Sequence, residues 1–321
     1  MLRSNTRSTR ERSPSFADPY GVHGESSGEY NGVTTASPIF QAPFVASDSE
    51  TLRGVLVVRP TAALAAVRPL HGESNAIVER AHEQFGVFLT RLGARGIKVV
   101  EAEASATAPA SAFCSDGAVI FADGAFLMRP SDLGRRSEIA PLEAALALAN
   151  VPIVGRIDAP GLLDGGDVIV AGETLFIAVT TPRRSEAGIA ASLHGNALGR
   201  QQLTAYARSK NMKVVEIAVA AEVQRLKSVA SLVDARTILY AASLVDGEGF
   251  AGFERLIAPR GEDYGAGVLP LGGRRVLANL RFRETIPMLR AAKFAVDAID
   301  VWEFGKIGAT PSSMVLALKR G

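Results

Sequence analysis

The sequence has few residues of the types that build disulfide frameworks and metal centres. Its 321 residues include one cysteine, Cys114, which excludes an intrachain disulfide framework and a multi-cysteine metal site. The four histidines, His23, His71, His82 and His194, show no metal-ligand spacing, and each is interpreted as structural or solvent-facing. The sequence therefore predicts no metal, and the lone cysteine favours a reducing, cytoplasmic location.

Long apolar runs and a strong charge bias are also missing. The longest apolar stretch, residues 140–154, is interrupted by Glu143, Asn150 and prolines, whereas a bilayer-spanning helix needs about 20 apolar residues in succession. The net charge is only +2, with both signs mixed along the chain. Neither a membrane nor nucleic acid is therefore predicted as a partner. No phosphate-binding GxxxxGK(S/T) motif is present, so nucleotide binding has little support.

The N-terminal segment differs in composition from the rest of the chain. Residues 1–30 are rich in Ser, Arg, Gly and Glu and poor in aliphatic side chains. Such a segment buries too little apolar surface to offset the entropy lost on ordering. We predict a disordered tail over residues 1–45 and a single folded domain over residues 46–321. The segment has no apolar core of a signal peptide, which argues against secretion.

After this tail, one order of elements recurs. Apolar segments of strand length alternate with amphipathic segments, beginning with a strand at residues 54–58 and a helix at residues 73–95. The recurring unit is a hairpin, a helix and a further strand. The same patterning predicts a helix near residues 252–256. These observations indicate an α/β fold in which the architecture repeats while the sequence does not.

Two carboxylates, Asp164 and Asp167, flank a glycine pair in the segment Gly-Leu-Leu-Asp-Gly-Gly-Asp-Val at residues 161–168. Glycine lets the backbone turn where a Cβ atom would clash, so both acids can point into one pocket. Converging carboxylates suit a cationic ligand. An ordinary turn is the alternative, because Asp-Gly pairs are common turn residues.

Several segments, in this order and spacing, resemble the guanidine-modifying superfamily of dimethylarginine dimethylaminohydrolases, arginine deiminases and amidinotransferases. They are residues 113–116, 129–130, 135–138, 163–168, 183–188, 226–228 and 303–316. The dimethylargininase branch fits best, and the resemblance covers roughly residues 54–318. It implies a five-bladed α/β propeller (pentein fold) of ββαβ units around a polar channel, with no metal or organic cofactor.

The resemblance also implies which carboxylates form the site. Asp116 falls where the family places an acid that binds the guanidinium, a planar group suited to paired contacts with a carboxylate. Ser115 precedes it where the dimethylargininase branch often has glutamate, which removes one negative charge. Asp164 matches the acid that orients the catalytic histidine, and Asp167 follows as a substrate-binding candidate.

Arginines fall at two positions where family members hold the α-carboxylate of an amino-acid substrate. They are Arg135 or Arg136, and Arg183. A role at a helix start or in a surface ion pair is the alternative for each. Together they favour a small, arginine-like ligand, and the family includes many homodimers.

The catalytic pair of the family is not found at its expected positions. Arg225 stands where the family has histidine, and Ser313 stands at the position of the cysteine nucleophile, or Ser312 if the register shifts by one. A serine hydroxyl needs a neighbouring base, and a guanidinium that stays protonated cannot be that base. Cys114 is interpreted either as a relocated nucleophile or as a small buried apolar residue.

Three functions remain open from these residues. The first is a catalytically degenerate homologue, a pseudoenzyme that keeps an arginine-like ligand pocket. The second is an active amidinohydrolase or amidinotransferase, and the third is acid–base chemistry without a covalent intermediate. The joint replacement of nucleophile and base favours the first. An internal contact of Arg225 with Asp164 or Asp116 would fit a self-inhibited or purely structural arrangement.

Overall fold

The computed structural model describes residues 39–70, 73–105, 108–180 and 194–321. Across these ranges, fifteen strands form five sheets of three strands each. The strands are β1 (Leu52–Val58), β2 (Lys98–Ala102), β3 (Ala118–Phe121), β4 (Gly124–Leu127), β5 (Ile153–Arg156), β6 (Val168–Ala171), β7 (Thr174–Thr180), β8 (Lys213–Val219), β9 (Ala230–Leu232), β10 (Thr237–Tyr240), β11 (Glu254–Ile257), β12 (Leu269–Gly272), β13 (Arg275–Asn279), β14 (Ala295–Ile299) and β15 (Leu316–Arg320). The α-helices of these ranges are α1 (Val78–Gly93), α2 (Ile139–Leu148), α3 (Ala197–Ser209), α4 (Leu226–Val229), α5 (Thr285–Ala291) and α6 (Trp302–Gly305).

All five sheets follow one plan. In the sheet β3-β4-β5, the first two strands form an antiparallel hairpin and the third returns parallel to the second. The sheets β6-β7-β8, β9-β10-β11 and β12-β13-β14 repeat this order. A parallel return needs a crossover, which explains why a hairpin alternates with helical or turn segments in the sequence.

The fifth sheet is built from both ends of the folded chain. Strand β15 pairs antiparallel with β1, and β1 pairs parallel with β2. The first strands of all five sheets, β3, β6, β9, β12 and β15, contribute residues to the wall of one central cavity. The predicted five-bladed α/β propeller is confirmed.

The apolar residues of helix α1 pack on one face of the helix, as their spacing in the sequence predicts. Ala81, Phe85, Phe88 and Leu92 recur at helical spacing, and each is fully buried in one apolar core. The helix begins at Val78, later than the predicted start at residue 73. The segment before it is extended, and the Ile77 N–H donates to the Glu303 carboxylate at 2.8 Å.

The predicted helix near residues 252–256 is wrong. Strand β11 lies there and pairs parallel with β10, and a 3-10 turn at Gly247–Phe250 makes the crossover. Phe250 of that turn is fully buried against the rings of Phe176 and Tyr240. The buried ring of Phe250 therefore replaces the apolar face that a crossover helix would provide in this blade. The backbone of residues 254–257 is left to pair with β10 as a strand.

Ordered packing begins before residue 46. Phe40, Phe44 and Val45 are buried, and the Phe44 N–H donates to the Ala122 carbonyl at 2.9 Å. The described part of the folded domain therefore includes residues 39–45, while most of the predicted tail lies outside the described residues. Within the described ranges, no helix has the length and apolar character needed to cross a bilayer. In the same ranges, no group of three or more His, Cys, Asp or Glu side chains is arranged to hold a metal ion.

Candidate functional site

The candidate residues lie where the chain enters the first strand of a sheet. Asp116 ends a 3-10 turn before β3, and Asp164 and Asp167 bracket the turn before β6. Arg225 precedes α4 and β9, and Ser313 precedes β15. Because the first strands of the five blades line one central cavity, the segments that lead into them bring Asp116, Asp164 and Arg225 into contact.

The guanidinium of Arg225 lies between two of the predicted carboxylates. Its Nη2 is 2.9 Å from Asp164 Oδ1 and its Nε is 3.1 Å from Asp116 Oδ1. Its Nη1 donates to the carbonyl of Gln224 at 2.6 Å. The side chain is only 14% exposed. Arg225, which the sequence resemblance aligns with the family's histidine, therefore supplies a guanidinium to the acids that the same resemblance assigns to guanidinium binding.

A second guanidinium, that of Arg135, reaches Asp116 from the other side. Arg135 Nη1 donates to Asp116 Oδ2, while its Nε and Nη2 donate to the Glu138 carboxylate at 2.9 and 2.7 Å. Its Nη2 also donates to the carbonyl of Phe113 at 3.0 Å. Asp116, Asp164 and Arg135 are buried, and Arg225 is largely so; the four form one group, called here the acid–arginine cluster. Buried charges of opposite sign compensate one another's lost hydration in this way.

Of the other two predicted arginines, only Arg136 is described, and it does not contact this cluster. Arg136 is half-buried, and its Nε donates to the carbonyl of Pro130 at 3.3 Å. Arg183 lies outside the described residues. The carboxylate-binding roles of Arg135, Arg136 and Arg183 stay predictions.

Asp167 pairs with a histidine that the sequence did not single out as functional. The Nδ1 of His194 is 2.7 Å from Asp167 Oδ1, and both side chains are fully buried. The same carboxylate oxygen accepts the N–H of Leu226 at 3.0 Å, which fixes the backbone directly after Arg225. The two partners are 27 residues apart, so no local pattern signals the pair. Glu138 was also missed, although its position three residues after Arg135 on a helical turn allows such pairing.

The cluster shifts the pKa values of its acids in opposite directions. Burial raises the pKa of Asp164 to about 6, with Arg225 acting against that rise. Burial acts on Asp116 in the same sense, but Arg225 and Arg135 outweigh it and hold the pKa of Asp116 below its usual range. Burial also raises the pKa of Glu138. Asp116 therefore stays ionised, while Asp164 takes up a proton just below neutral pH.

Ser313, which the sequence resemblance aligns with the family's cysteine nucleophile, belongs to a tight turn. Ser313 Oγ donates to the Thr310 carbonyl at 2.8 Å and accepts the Thr310 N–H at 2.8 Å. Ser312 Oγ donates to the carbonyl of Lys227 at 3.0 Å and lies 3.0 Å from the Thr310 hydroxyl. These bonds go to backbone atoms and a hydroxyl, none of which is a base that could activate either serine.

Cys114 is placed as a small apolar residue. Its thiol faces the carbonyl oxygens of Leu56 and Met314 at 3.4 and 3.7 Å, inside an apolar core. Burial raises the pKa of the thiol to about 12. Since a thiolate is the reactive form, this geometry argues against a relocated nucleophile.

Comparisons with known proteins agree with this architecture, although no family model matches the chain. The sequence is 30% identical over 265 residues to N(G),N(G)-dimethylarginine dimethylaminohydrolase from Streptomyces coelicolor, covering 82% of this chain and 96% of that protein.

The structure superposes with a TM-score of 0.72 on the dimethylarginine dimethylaminohydrolase of Pseudomonas aeruginosa, in a Cys-to-Ser variant complexed with citrulline. That alignment has 22% identity and covers 83% of this chain and 99% of the other. An amidinotransferase of the saxitoxin biosynthetic pathway from Microseira wollei aligns with a TM-score of 0.67 and 14% identity, over 86% of this chain and 97% of its own. The chain therefore belongs to the dimethylarginine dimethylaminohydrolase family, within the guanidine-modifying (pentein) superfamily.

Proposed function

We propose that the protein is a catalytically degenerate dimethylargininase- or amidinotransferase-like member of its family, which keeps the guanidinium-binding carboxylates but uses them to hold its own Arg225. The observation that carries this proposal is the position of the Arg225 guanidinium, 2.9 Å from Asp164 and 3.1 Å from Asp116. An arginine-like ligand can reach these acids only when Arg225 leaves them. The carboxylates that would bind the ligand are thus retained, and Arg225 occupies them when no ligand is bound.

Among the described residues, neither Ser312, Ser313 nor Cys114 is placed as an activated nucleophile, which supports the same proposal. Covalent attack on a guanidinium carbon needs a thiolate, or a hydroxyl beside a base. Ser313 donates its hydroxyl proton to the Thr310 carbonyl and accepts the Thr310 N–H, and Arg225, the residue aligned with the family's base, is a permanent cation. Binding without turnover remains compatible with this site. In the Pseudomonas protein, citrulline is bound in a variant whose cysteine is replaced by serine, so that protein binds it without the thiol.

One observation favours a second candidate, acid–base chemistry without a covalent intermediate. Burial raises the pKa of Asp164 to about 6, which is close to the value that suits a general acid or base at neutral pH. Asp164 also accepts the N–H of Ser131 at 3.1 Å, so its orientation is fixed. In this reading, Asp164 exchanges a proton with a substrate that has displaced Arg225. An active amidinohydrolase or amidinotransferase is less well supported, because it needs the missing nucleophile.

The deciding experiment is incubation of the purified protein with L-arginine, dimethylated arginine and an N-hydroxy analogue. The proposal expects no citrulline or ornithine in any reaction, with a dimethylargininase as the positive control. Ser313→Ala and Asp164→Asn are assayed in parallel. Release that Ser313→Ala abolishes would establish covalent family chemistry. Release that survives Ser313→Ala and disappears in Asp164→Asn would establish acid–base chemistry, and either result overturns the proposal.

A further inference from the structure

A small cavity lies on the propeller axis, beyond the acid–arginine cluster. Its volume is about 50 Å³, and the first strands of all five blades form its wall. Most of that wall is apolar, with Val119, Ile169, Leu232 and Leu269 among the contributing side chains. A volume of this size accommodates one or two occupants the size of a water molecule.

Three charged side chains line this cavity, and two of them are cations. Lys227 Nζ is 3.4 Å from Asp48 Oδ2, and the same oxygen accepts the N–H of Val170 at 3.0 Å. Arg320 is the third, and its Nη1 donates to the carbonyls of Glu50 and Pro270 at 2.7 and 2.9 Å. These partners of Arg320 are neutral carbonyls. The charged groups of the cavity wall therefore sum to one positive charge.

A donor without an acceptor points to what the cavity holds. Arg320 is 4% exposed, and among the described residues its buried Nε has no hydrogen-bond partner. Ser115, also on the cavity wall, is 3% exposed and has a buried hydroxyl without a partner there. Buried polar atoms in folded proteins almost always have a partner, and a buried donor left unpaired is costly.

The net positive charge of the lining side chains and the Arg320 Nε, unpaired among the described residues, together favour a negatively charged occupant beside Arg320. A water molecule would satisfy Arg320 Nε but would leave the net positive charge of the lining side chains without a counter-ion inside the cavity. The Ser115 end adjoins the ionised Asp116, which repels an anion. The carboxylate of Glu50 influences Arg320 from outside, yet it accepts the N–H groups of Ala46 and Ser47. The Arg320 end is thus where an anion gains most.

We propose that the axial cavity binds a single small inorganic anion of halide size, held by Arg320 Nε and the ammonium group of Lys227. The bound anion neutralises the cavity wall. It also bridges strand β15, which carries Arg320, and helix α4, which carries Lys227. These two side chains in turn contact the N-terminal segment, at the Glu50 carbonyl and the Asp48 carboxylate. This site is distinct from the acid–arginine cluster and does not depend on whether that cluster is active.

The direct test is crystallisation of the full chain in sodium bromide, with diffraction data collected at the bromine absorption edge. The proposal expects an anomalous peak within hydrogen-bond distance of Arg320 Nε. A cavity that contains only water, without anomalous signal at this position, would overturn it.

A solution test uses thermal melting in sodium bromide, sodium chloride and sodium gluconate at matched ionic strength. We expect a saturable rise of a few degrees in Tm with either halide and a smaller, non-saturating change with gluconate, because binding to the native state alone raises Tm. Lys227→Met should lose the halide-specific rise, whereas Lys98→Met, on the exposed side of β2, should keep it. An equal response to all three salts, or an undiminished halide response in Lys227→Met, contradicts the proposal. Arg320→Met is not needed, so a folding defect at that buried position does not compromise the test.

Discussion

At the scale of single residues, the position of Arg225 is the feature on which the proposed use of the pocket depends. Two acids at the ends of β-blades would bind a guanidinium from any source, since the planar group matches carboxylates in geometry and charge. Here the source is the chain itself, with the guanidinium 14% exposed and in contact with Asp116 and Asp164. A ligand guanidinium must therefore compete with a tethered one of the same chemistry.

We expect Arg225→Ala to lower stability and to create a binding site. Removing one partner of a buried ion pair costs about 3 kcal/mol or more, because the remaining carboxylates are left uncompensated. Millimolar methylguanidinium or L-arginine should then refill the vacancy and raise the Tm of the variant, with little effect on the wild type. Differential scanning fluorimetry and calorimetric titration measure both effects.

Arg156→Ala is the matched control for that experiment. Arg156 is 52% exposed and pairs with Glu143 at 2.9 Å, so its loss should cost at most about 1 kcal/mol and create no ligand response. Equal binding of L-arginine to the wild type and to Arg225→Ala would show that Arg225 does not close the pocket.

At the scale of elements, the turn between Asp164 and Asp167 determines how closely the blades approach each other. A Cβ atom on Gly165 would overlap the backbone carbonyls of Ser115 and Ala118, in the segment that leads into the neighbouring blade. A Cβ atom on Gly166 would instead overlap the Asp116 carboxylate and press on the Arg225 side chain. Both glycines are thus required by close approach, the first to a backbone and the second to the acid–arginine cluster.

The two glycines should respond differently to alanine. Gly165→Ala must displace backbone and is expected to cost about 2 kcal/mol or more of unfolding free energy, since overpacking a well-filled interior costs about 1 to 3 kcal/mol. Gly166→Ala displaces side chains, so it should cost less and should weaken the Arg225 contacts, making the protein more responsive to methylguanidinium.

Gly86→Ala serves as the reference substitution, because a Cβ atom at this position in α1 meets no atom within 4 Å and alanine favours helix. Urea titrations of the three variants give the comparison. A Gly165→Ala protein as stable as Gly86→Ala would contradict the packing argument.

At the scale of the whole molecule, the ring closes through pairing of the last strand with the first. Strand β15 completes the sheet of β1 and β2, so each blade is packed between neighbours and the acid–arginine cluster collects charges from several of them. A ring of this kind has no free blade that could open alone while keeping the cluster intact. The protonation of the cluster is therefore linked to unfolding of the molecule.

This linkage predicts how stability depends on pH. Asp164 has a folded pKa of about 6 against an ordinary value of 3.8, so between these values the folded protein binds the proton and the unfolded chain does not. Its contribution to stability is complete below the lower value and is lost as pH rises through 6, with a slope of at most about 1.4 kcal/mol per pH unit. Asp164→Asn should remove this part of the slope when urea unfolding is measured from pH 4 to 7.

Asp116→Asn is the contrasting variant. The pKa of Asp116 is lowered in the folded protein, so its contribution is present above its ordinary value and is lost as pH falls through the folded one. Replacing it should therefore change the acid limb of the curve. Because the Asp116 carboxylate also helps to raise the pKa of Asp164, the variant should shift the Asp164 slope to lower pH rather than remove it. An unaltered slope in Asp164→Asn would exclude a raised pKa at that residue.

Local patterns in the sequence were sufficient for the class of fold and for several strands and helices. The spacing of Phe85, Phe88 and Leu92 predicted α1, because helical periodicity is a property of neighbouring residues. The short segment at residues 252–256 was misassigned, since so few residues carry too little periodicity to separate a strand from a helix. The resemblance of short segments in order then indicated the propeller and the acids of the pocket.

By itself, the sequence determined which chemical groups are available: the acids Asp116, Asp164 and Asp167, an arginine and a serine at positions 225 and 313, and a single thiol. Only the tertiary structure decided their partners. Arg225 pairs with an acid 61 residues away and His194 with one 27 residues away, and Cys114 is sealed in a core. Such pairings depend on which blade ends meet at the axis, and that is set by the long-range strand pairing that closes the ring.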